Sequence, residues 1–286
     1  MMRPRLVVYL QLVKFSHTVF ALPFALMGAF LAARGVPNLR VGLWMVVAVI
    51  GARTCAIAFN RLVDRRFDAL NPRTAARALA TGVVAPWEAW TMAAVAGATF
   101  VLACAALNAL ALGLSPLMLA ATLGYSLTKR ITWGSHLFLG GALALAPVGG
   151  WVAVRGDIHG YPLTLSLGVL FWVAGFDLVY ACLDDDFDRR LGLYSVPARF
   201  GRRAALRLAR CCHVAAFMGF AATGWSFGLG RLYVVGLLVA GAALFVEHLL
   251  VTPRDLDRVQ LSFFTMNGVV SLVLFAATWL ALVARR

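Results

Sequence analysis

The chain has 286 residues, of which 62% are hydrophobic and 13% are charged, and its mean hydropathy is +0.84. Soluble domains are about half apolar and about a quarter charged, so this composition excludes an ordinary soluble protein. The formal net charge of +14 is compatible with nucleic-acid binding. Basic residues scattered between apolar segments are more typical of membrane topology, however, so we expect a lipid bilayer as partner and no nucleic acid.

Apolar runs of roughly 20 residues, the length that crosses the hydrocarbon core of a bilayer, recur along nearly the whole chain. The first run follows basic residues, as a signal peptide would, but it is longer than a signal core of about 7 to 15 residues. We therefore interpret it as a transmembrane segment. The sequence predicts nine membrane-spanning helices, at about residues 15–33, 41–59, 88–107, 110–127, 135–154, 162–182, 209–227, 232–251 and 262–283.

No linker or low-complexity segment divides the chain, and we predict one integral membrane domain over residues 1–286. With the N-terminus inside the cell, most lysines and arginines fall in the segments that face the cytoplasm. This distribution predicts a multi-pass protein of the cell (inner) membrane. The five histidines are dispersed and predict no metal site.

Two long charged loops, at residues 60–87 and 183–208, interrupt the apolar pattern. The two loops correspond at a constant offset of 120 residues, which pairs Asn60 with Tyr180, Asp64 with Asp184, and Asp68 with Asp188. This spacing suggests a duplicated half-bundle. Seven of the twelve carboxylates lie in or beside these loops: Asp64, Asp68, Asp177, Asp184, Asp185, Asp186 and Asp188.

The helical phase of these clusters continues into the membrane. Arg53 falls on the same helical face as Asn60 and Asp64, and Asp177 falls on the same face as Asp184. An ionisable side chain within a span costs about 2.5 to 3.5 kcal/mol on insertion scales and normally faces a cavity or a partner. Arg53 and Asp177 are therefore candidate cavity residues.

Carboxylate and amide oxygens without cysteine or histidine are the ligands that Mg²⁺ prefers. Basic residues that fall on the same side of the membrane would complete a site for a diphosphate. These are Lys129, Arg130, Arg199 and Arg202. Alternatively, the aspartates only form surface ion pairs with nearby arginines, which contribute little. Two clusters, each continued by an intramembrane charge, favour the functional interpretation.

The residues resemble a known family, the UbiA-type intramembrane prenyltransferases. Residues 60–68, "NRLVDRRFD", are similar to its NxxxDxxxD motif, and residues 177–188 are similar to its DxxxYxxxDxxxD motif. The resemblance covers nearly the whole chain and includes "NPRT" at 71–74, "YSLTKR" at 125–130 and "GLYSVPARFG" at 192–201. Two features depart from the pattern. Arg61 stands where many members have Asp. Asp185 and Asp186 add to the second cluster, so that a DDxxD is literally present at Asp184, Asp185 and Asp188, and the number of metal ions per cluster is open.

The resemblance implies an all-α bundle of nine transmembrane helices around a central cavity, with both acidic loops on the cytoplasmic side. It implies that Mg²⁺ and a polyprenyl diphosphate bind there. Lys129 and Arg130 would assist diphosphate binding, and Asp177 and Tyr180 would face the reacting carbon. The implied metal ligands are Asn60, Asp64, Asp68, Asp184 and Asp188, with Asn60 also at the diphosphate.

In the expected reaction, the allylic C–O bond ionises and an aromatic ring attacks the prenyl carbon. The acceptor that we favour is 4-hydroxybenzoate, which leads to ubiquinone. Segments 12–28 and 252–272 also resemble a subgroup linked to futalosine-route menaquinone synthesis. Arg53 would bind the acceptor carboxylate or pair with Asp177 across the bundle. A membrane transporter is the alternative of another class, and a phosphatidyltransferase of the CDP-alcohol type is disfavoured because its acidic motif is contiguous.

Overall fold

The computed structural model describes residues 5–13 and 18–285, and it contains helices and no strands within those ranges. Polar and charged residues lie mainly at the helix ends and in the connections. The helices are α1 (Arg5–Leu12), α2 (Thr18–Ala33), α3 (Leu39–Val63), α4 (Arg65–Leu70), α5 (Pro86–Leu107), α6 (Ala109–Thr128), α7 (Ser135–Arg155), α8 (Leu163–Ala181), α9 (Asp185–Arg190), α10 (Val196–Phe200), α11 (Arg202–Ser226), α12 (Gly230–Leu250) and α13 (Val259–Val283).

Eight of the described helices are long and apolar enough to cross a membrane. The first predicted span, residues 15–33, lies partly outside the described residues, and its described part is the 16-residue helix α2. The all-α, multi-pass class is confirmed. The helices α3 and α11 extend well beyond the predicted apolar runs, because hydropathy locates the bilayer and not the end of a helix whose polar last or first turns lie in water.

The long helices pack as a closed ring. Each contacts the next in the order α2, α3, α5, α6, α7, α8, α11, α12 and α13, and α13 returns to α2. A contact between α2 and α7 crosses the ring and divides it in two. The half formed by α2, α7, α8, α11, α12 and α13 is filled by a large apolar core around Trp172.

The crossing contact depends on two glycines. A Cβ atom at Gly28 of α2 would overlap the carbonyl oxygen of Pro147, and a Cβ at Gly150 of α7 would overlap that of Ala25. Small residues allow helix backbones to approach closely where lipid provides no hydrophobic driving force for association. This pair of glycines therefore fixes the position of α2 against α7.

The other half of the ring encloses a cavity of about 380 Å³, lined by side chains of α2, α3, α5, α6 and α7. The lining is apolar except for Arg53, Thr122 and Tyr125. The predicted cavity is thus present, on the side of the ring formed by the first five long helices. Because a large apolar core fills the other half, we regard this cavity as the candidate binding space for an apolar substrate.

Candidate active site

The two acidic loops share one local backbone geometry. In each, a transmembrane helix ends and a short surface helix begins after an aspartate, Asp64 between α3 and α4 and Asp184 just before α9. The carbonyl of Asp64 accepts from the N–H of Asp68 at 2.7 Å, and that of Asp184 accepts from the N–H of Asp188 at 2.7 Å. The repeat seen in the sequence therefore extends to the backbone hydrogen bonds, and a duplicated half-bundle stays a prediction.

The first loop contacts the second through Asn71 and Arg73. Asn71 Nδ2 and Arg73 Nε each donate to Asp184 Oδ1 at 2.9 Å. Arg73 also donates through Nη2 to Asp184 Oδ2, and through Nη1 to the Tyr180 hydroxyl at 2.8 Å. Burial raises the pKa of Asp184, but the hydrogen bonds from Arg73 and Asn71 and the charges of Arg73 and Lys129 together outweigh burial, and the pKa is lowered. The first acidic loop and the second motif thus meet at one end of the bundle.

Asp68 is buried and held by two arginines. Arg77 Nη1 donates to Asp68 Oδ1 at 2.6 Å, and Arg61 Nη1 lies 3.9 Å from Asp68 Oδ2. Arg61 is itself buried. The departure of Arg61 from the family pattern therefore has a structural consequence, since a cation stands beside Asp68 where many members would add another acid.

The two predicted basic partners of the diphosphate each hold an aspartate. Lys129 Nζ lies 2.9 Å from Asp188 Oδ2, and Arg130 Nη2 lies 3.0 Å from Asp64 Oδ1. Burial lowers the pKa of Lys129, but the charge and hydrogen bond of Asp188 and the charges of Asp184 and Asp177 together outweigh burial, and the pKa is raised. Burial raises the pKa of Asp64, against the hydrogen bond from Arg130. Both basic residues therefore lie at the acidic loops, and their binding of a diphosphate stays a prediction.

The literal DDxxD does not assemble as one set of carboxylates. Asp185 accepts from Arg202 Nε at 2.9 Å and from Arg202 Nη2 at 2.7 Å. Asp186 is largely exposed and lies near Arg189 and Arg202. Because Arg202 begins α11, Asp185 attaches α9 to that helix, whereas Asp184 is held by the first loop.

Arg53 and Asp177 do not pair with each other in the described structure. Arg53 lines the cavity, and its buried Nε has no hydrogen-bond partner among the described residues. Asp177 Oδ2 lies 2.7 Å from Nδ1 of His136. The Tyr125 hydroxyl lies within electrostatic range of both Arg53 and Asp177, so the cavity reaches towards the acidic loops. The pairing of Arg53 with Asp177, one of two alternatives from the sequence, is not found.

The sequence alone did not identify four residues of this site: Asn71, Arg73, Arg77 and His136. The "NPRT" segment contains the first two and was a visible signal, since an Asn-Pro turn returns a charged loop towards the helix that precedes it. Arg77 had no signal beyond its position in the same loop. His136 opens an apolar helix, and its partner lies 41 residues away, which no local pattern indicates.

The donor atoms fit a hard cation such as Mg²⁺, because they are carboxylate and amide oxygens. Among residues 5–13 and 18–285, no three acidic, histidine or cysteine side chains form a group that would bind a metal by themselves. Mg²⁺ commonly uses only one or two carboxylates and completes its shell with water and substrate phosphate oxygens. The site therefore suits an ion that arrives together with a diphosphate.

Comparison with known proteins gives consistent results. The model of the UbiA prenyltransferase family matches residues 21–283. A protein of Nitrosospira multiformis named 4-hydroxybenzoate octaprenyltransferase is 31% identical over 269 residues, 93% of this chain and 92% of that one. A protein of Shewanella putrefaciens with the same name is 31% identical over 80% of each chain.

Solved structures show the same fold. The apo structure of a UbiA homolog from Aeropyrum pernix has a TM-score of 0.85 and 38% identity, over 91% of this chain and 96% of that one. A UbiA homolog from Archaeoglobus fulgidus bound to GPP and Mg²⁺ has a TM-score of 0.75 and 20% identity, over 96% and 99%. The family model covers most of the sequence, and the chain therefore belongs to the UbiA prenyltransferase family and is a polyprenyltransferase.

Proposed function

We propose that this enzyme transfers a polyprenyl group from a polyprenyl diphosphate to 4-hydroxybenzoate in the synthesis of ubiquinone. The observation that carries the proposal is the contact between the two acidic loops, in which Arg73 binds Asp184 and Tyr180. This contact gathers acids and bases at one end of the bundle, near an apolar cavity. The curated relatives that align along most of the chain are named for the same acceptor.

The diphosphate would bind at the acidic loops with Mg²⁺. The Archaeoglobus fulgidus homolog was solved with GPP and Mg²⁺ bound, which supports the use of both. Bound Mg²⁺ supplies positive charge that neutralises the leaving diphosphate. Lys129, Arg130 and Arg73 supply further charge when the diphosphate replaces their present aspartate partners. The residues that would hold the ion are Asn60, Asp64, Asp68, Asp184 and Asp188.

The chain's own residues have distinct tasks in the transfer. The allylic C–O bond breaks with its electron pair on the diphosphate, an aromatic ring carbon forms the new bond to the prenyl carbon, and the ring proton leaves. Asp177 takes that proton or stabilises the cation, and Tyr180 contacts the cation through its ring. The apolar cavity excludes water, which would convert the cation to an alcohol.

The position of Arg53 favours an acceptor that carries a carboxylate. It lines an otherwise apolar cavity, where an unpaired cation is costly and a substrate carboxylate would compensate it. A carboxylate on the aromatic ring would then fix the orientation of the ring relative to the acidic loops. The location that we propose is the inner membrane, with the acidic loops facing the cytoplasm, because arginines and lysines are concentrated on that side.

The test is prenyl transfer in purified membranes from a labelled polyprenyl diphosphate to a panel of aromatic acids, with Mg²⁺ and with a chelator. We expect Mg²⁺-dependent labelling of 4-hydroxybenzoate. Labelling of a futalosine-route precursor without labelling of 4-hydroxybenzoate would contradict the acceptor but retain the reaction. Absence of labelling of every aromatic acceptor would contradict the proposed reaction.

A further inference from the structure

His136 lies directly beside Asp177, although they belong to different helices. The His136 side chain is 3% exposed and its Nδ1 lies 2.7 Å from Oδ2 of Asp177. The Asp177 side chain is 27% exposed. Its other oxygen, Oδ1, makes no hydrogen bond with the part of the chain that the structure describes. One carboxylate oxygen of Asp177 is therefore fixed by a hydrogen bond, and the other is free to contact a substrate.

The second ring nitrogen of His136 determines which nitrogen carries the proton. The backbone N–H of Val196 donates to His136 Nε2 at 3.3 Å. A nitrogen that accepts a hydrogen bond carries no hydrogen, so the neutral ring has its proton on Nδ1 and donates it to Asp177. Because Nε2 accepts a hydrogen bond from a backbone N–H group, it has no acceptor to which it could pass a proton. The imidazole is thus arranged to orient the carboxylate and not to relay a proton.

Val196 belongs to the segment that also supports the predicted diphosphate site. It is the first residue of α10, and Tyr194, two residues earlier, donates its backbone N–H to the carbonyl of Lys129 at 2.7 Å. Lys129 in turn binds Asp188. One stretch of the second loop therefore positions both the His136 ring and a basic partner of the acidic cluster.

We propose that His136 is a positioning residue for Asp177. Its Nδ1–H fixes the position of Oδ2, which leaves Oδ1 available to the substrate. This inference rests on the proposed function, in which the ring proton of the aromatic acceptor passes to Asp177 as the new C–C bond forms and the diphosphate leaves with the electron pair of the C–O bond. Hydrogen bonds of this kind fix the orientation of functional groups.

The test compares His136→Phe, which removes the donor, with His136→Asn, whose side-chain amide restores an N–H near the position of Nδ1. Ser135→Ala is the matched control, because Ser135 is the buried neighbour on α7 and its Oγ has no partner among the described residues. The measurements are kcat, KM for the prenyl diphosphate, and the melting temperature in detergent.

We expect His136→Phe to lower kcat by about 10- to 100-fold, with KM for the prenyl diphosphate changed less than about twofold. His136→Asn should recover most of this loss, and Ser135→Ala should match wild type. If His136→Phe keeps wild-type kcat, or if Asn and Phe lose the same amount while both melt like wild type, the positioning role is wrong. A wild-type chain that labels no aromatic acceptor would instead contradict the proposed function itself.

Discussion

Arg73 binds both carboxylate oxygens of Asp184, which lies 111 positions further along the chain, and also donates to the hydroxyl of Tyr180. Its guanidinium lies 5.0 Å from the centre of the Tyr180 ring. One planar side chain therefore connects the first acidic loop with the second motif. Asp68 of the first loop also lies within electrostatic range of Arg73, so this arginine neutralises acids of both loops.

This contact makes Arg73→Lys a sharp test, because lysine keeps the charge but cannot form the two parallel hydrogen bonds. We expect kcat/KM for the prenyl diphosphate to fall by about 10- to 100-fold, the equivalent of about 1.5 to 3 kcal/mol for hydrogen bonds to a charged group. The control is Arg66→Lys, an exposed arginine of the same loop that forms no ion pair among the described residues. Equal activity of the two variants would show that charge alone suffices at position 73.

A second prediction concerns Arg53 and the acceptor. In Arg53→Gln we expect kcat/KM for 4-hydroxybenzoate to fall by about 10- to 100-fold, because a charge-assisted hydrogen bond to the substrate carboxylate contributes about 1.5 to 3 kcal/mol. KM for the prenyl diphosphate should stay near the wild-type value. Arg40→Gln, on the exposed first turn of the same helix, is the matched control.

An acceptor without a carboxylate separates a role of Arg53 in substrate binding from a role in the structure of the cavity. Phenol lacks the carboxylate, so wild type and Arg53→Gln should prenylate it at similar, low rates. A variant that loses activity with phenol as strongly as with 4-hydroxybenzoate would assign Arg53 to the structure of the cavity wall and not to the acceptor.

A third prediction tests the contact that crosses the ring. In Gly150→Ala the added methyl group meets the backbone of Ala25, which cannot move aside as a side chain would. Overpacking of this kind costs about 1 to 3 kcal/mol of the free energy of unfolding, and the melting temperature in detergent should fall. Gly141→Ala lies on the same helix with open space around it and should melt like wild type. Equal melting temperatures would mean that α2 and α7 are not in close backbone contact.

Much of this fold is visible in the sequence, because the bilayer sets the length of each apolar run. The two aspartate motifs are equally visible, since a spacing of four residues and a constant offset of 120 residues are local patterns. The positions of Lys129 and Arg130 beside the acids were also predicted, from the side of the membrane on which they fall.

The sequence could not predict which side chain each charged residue binds. Asp185 and Asp184 are adjacent in the chain, yet one binds Arg202 of α11 and the other binds Arg73 of the first loop. Asp177 and Arg53 share compatible helical faces, yet Asp177 binds His136. Such choices depend on the order of the helices around the ring and on the glycine contacts that set their spacing, and these are properties of the packed bundle.

The central claim is that both acidic loops form one Mg²⁺-dependent diphosphate site. It is tested most directly by the affinity of a non-reactive prenyl thiodiphosphate, measured with and without Mg²⁺ for wild type, Asp64→Ala, Asp184→Ala and the exposed control Asp186→Ala. Removing an aspartate also frees its basic partner to bind the diphosphate, so the affinity without Mg²⁺ should not fall. The informative quantity is therefore the gain in affinity when Mg²⁺ is added. We predict that Asp64→Ala and Asp184→Ala each lose most of that gain while Asp186→Ala keeps it. A full gain in either of the first two variants would contradict a site shared by the two loops.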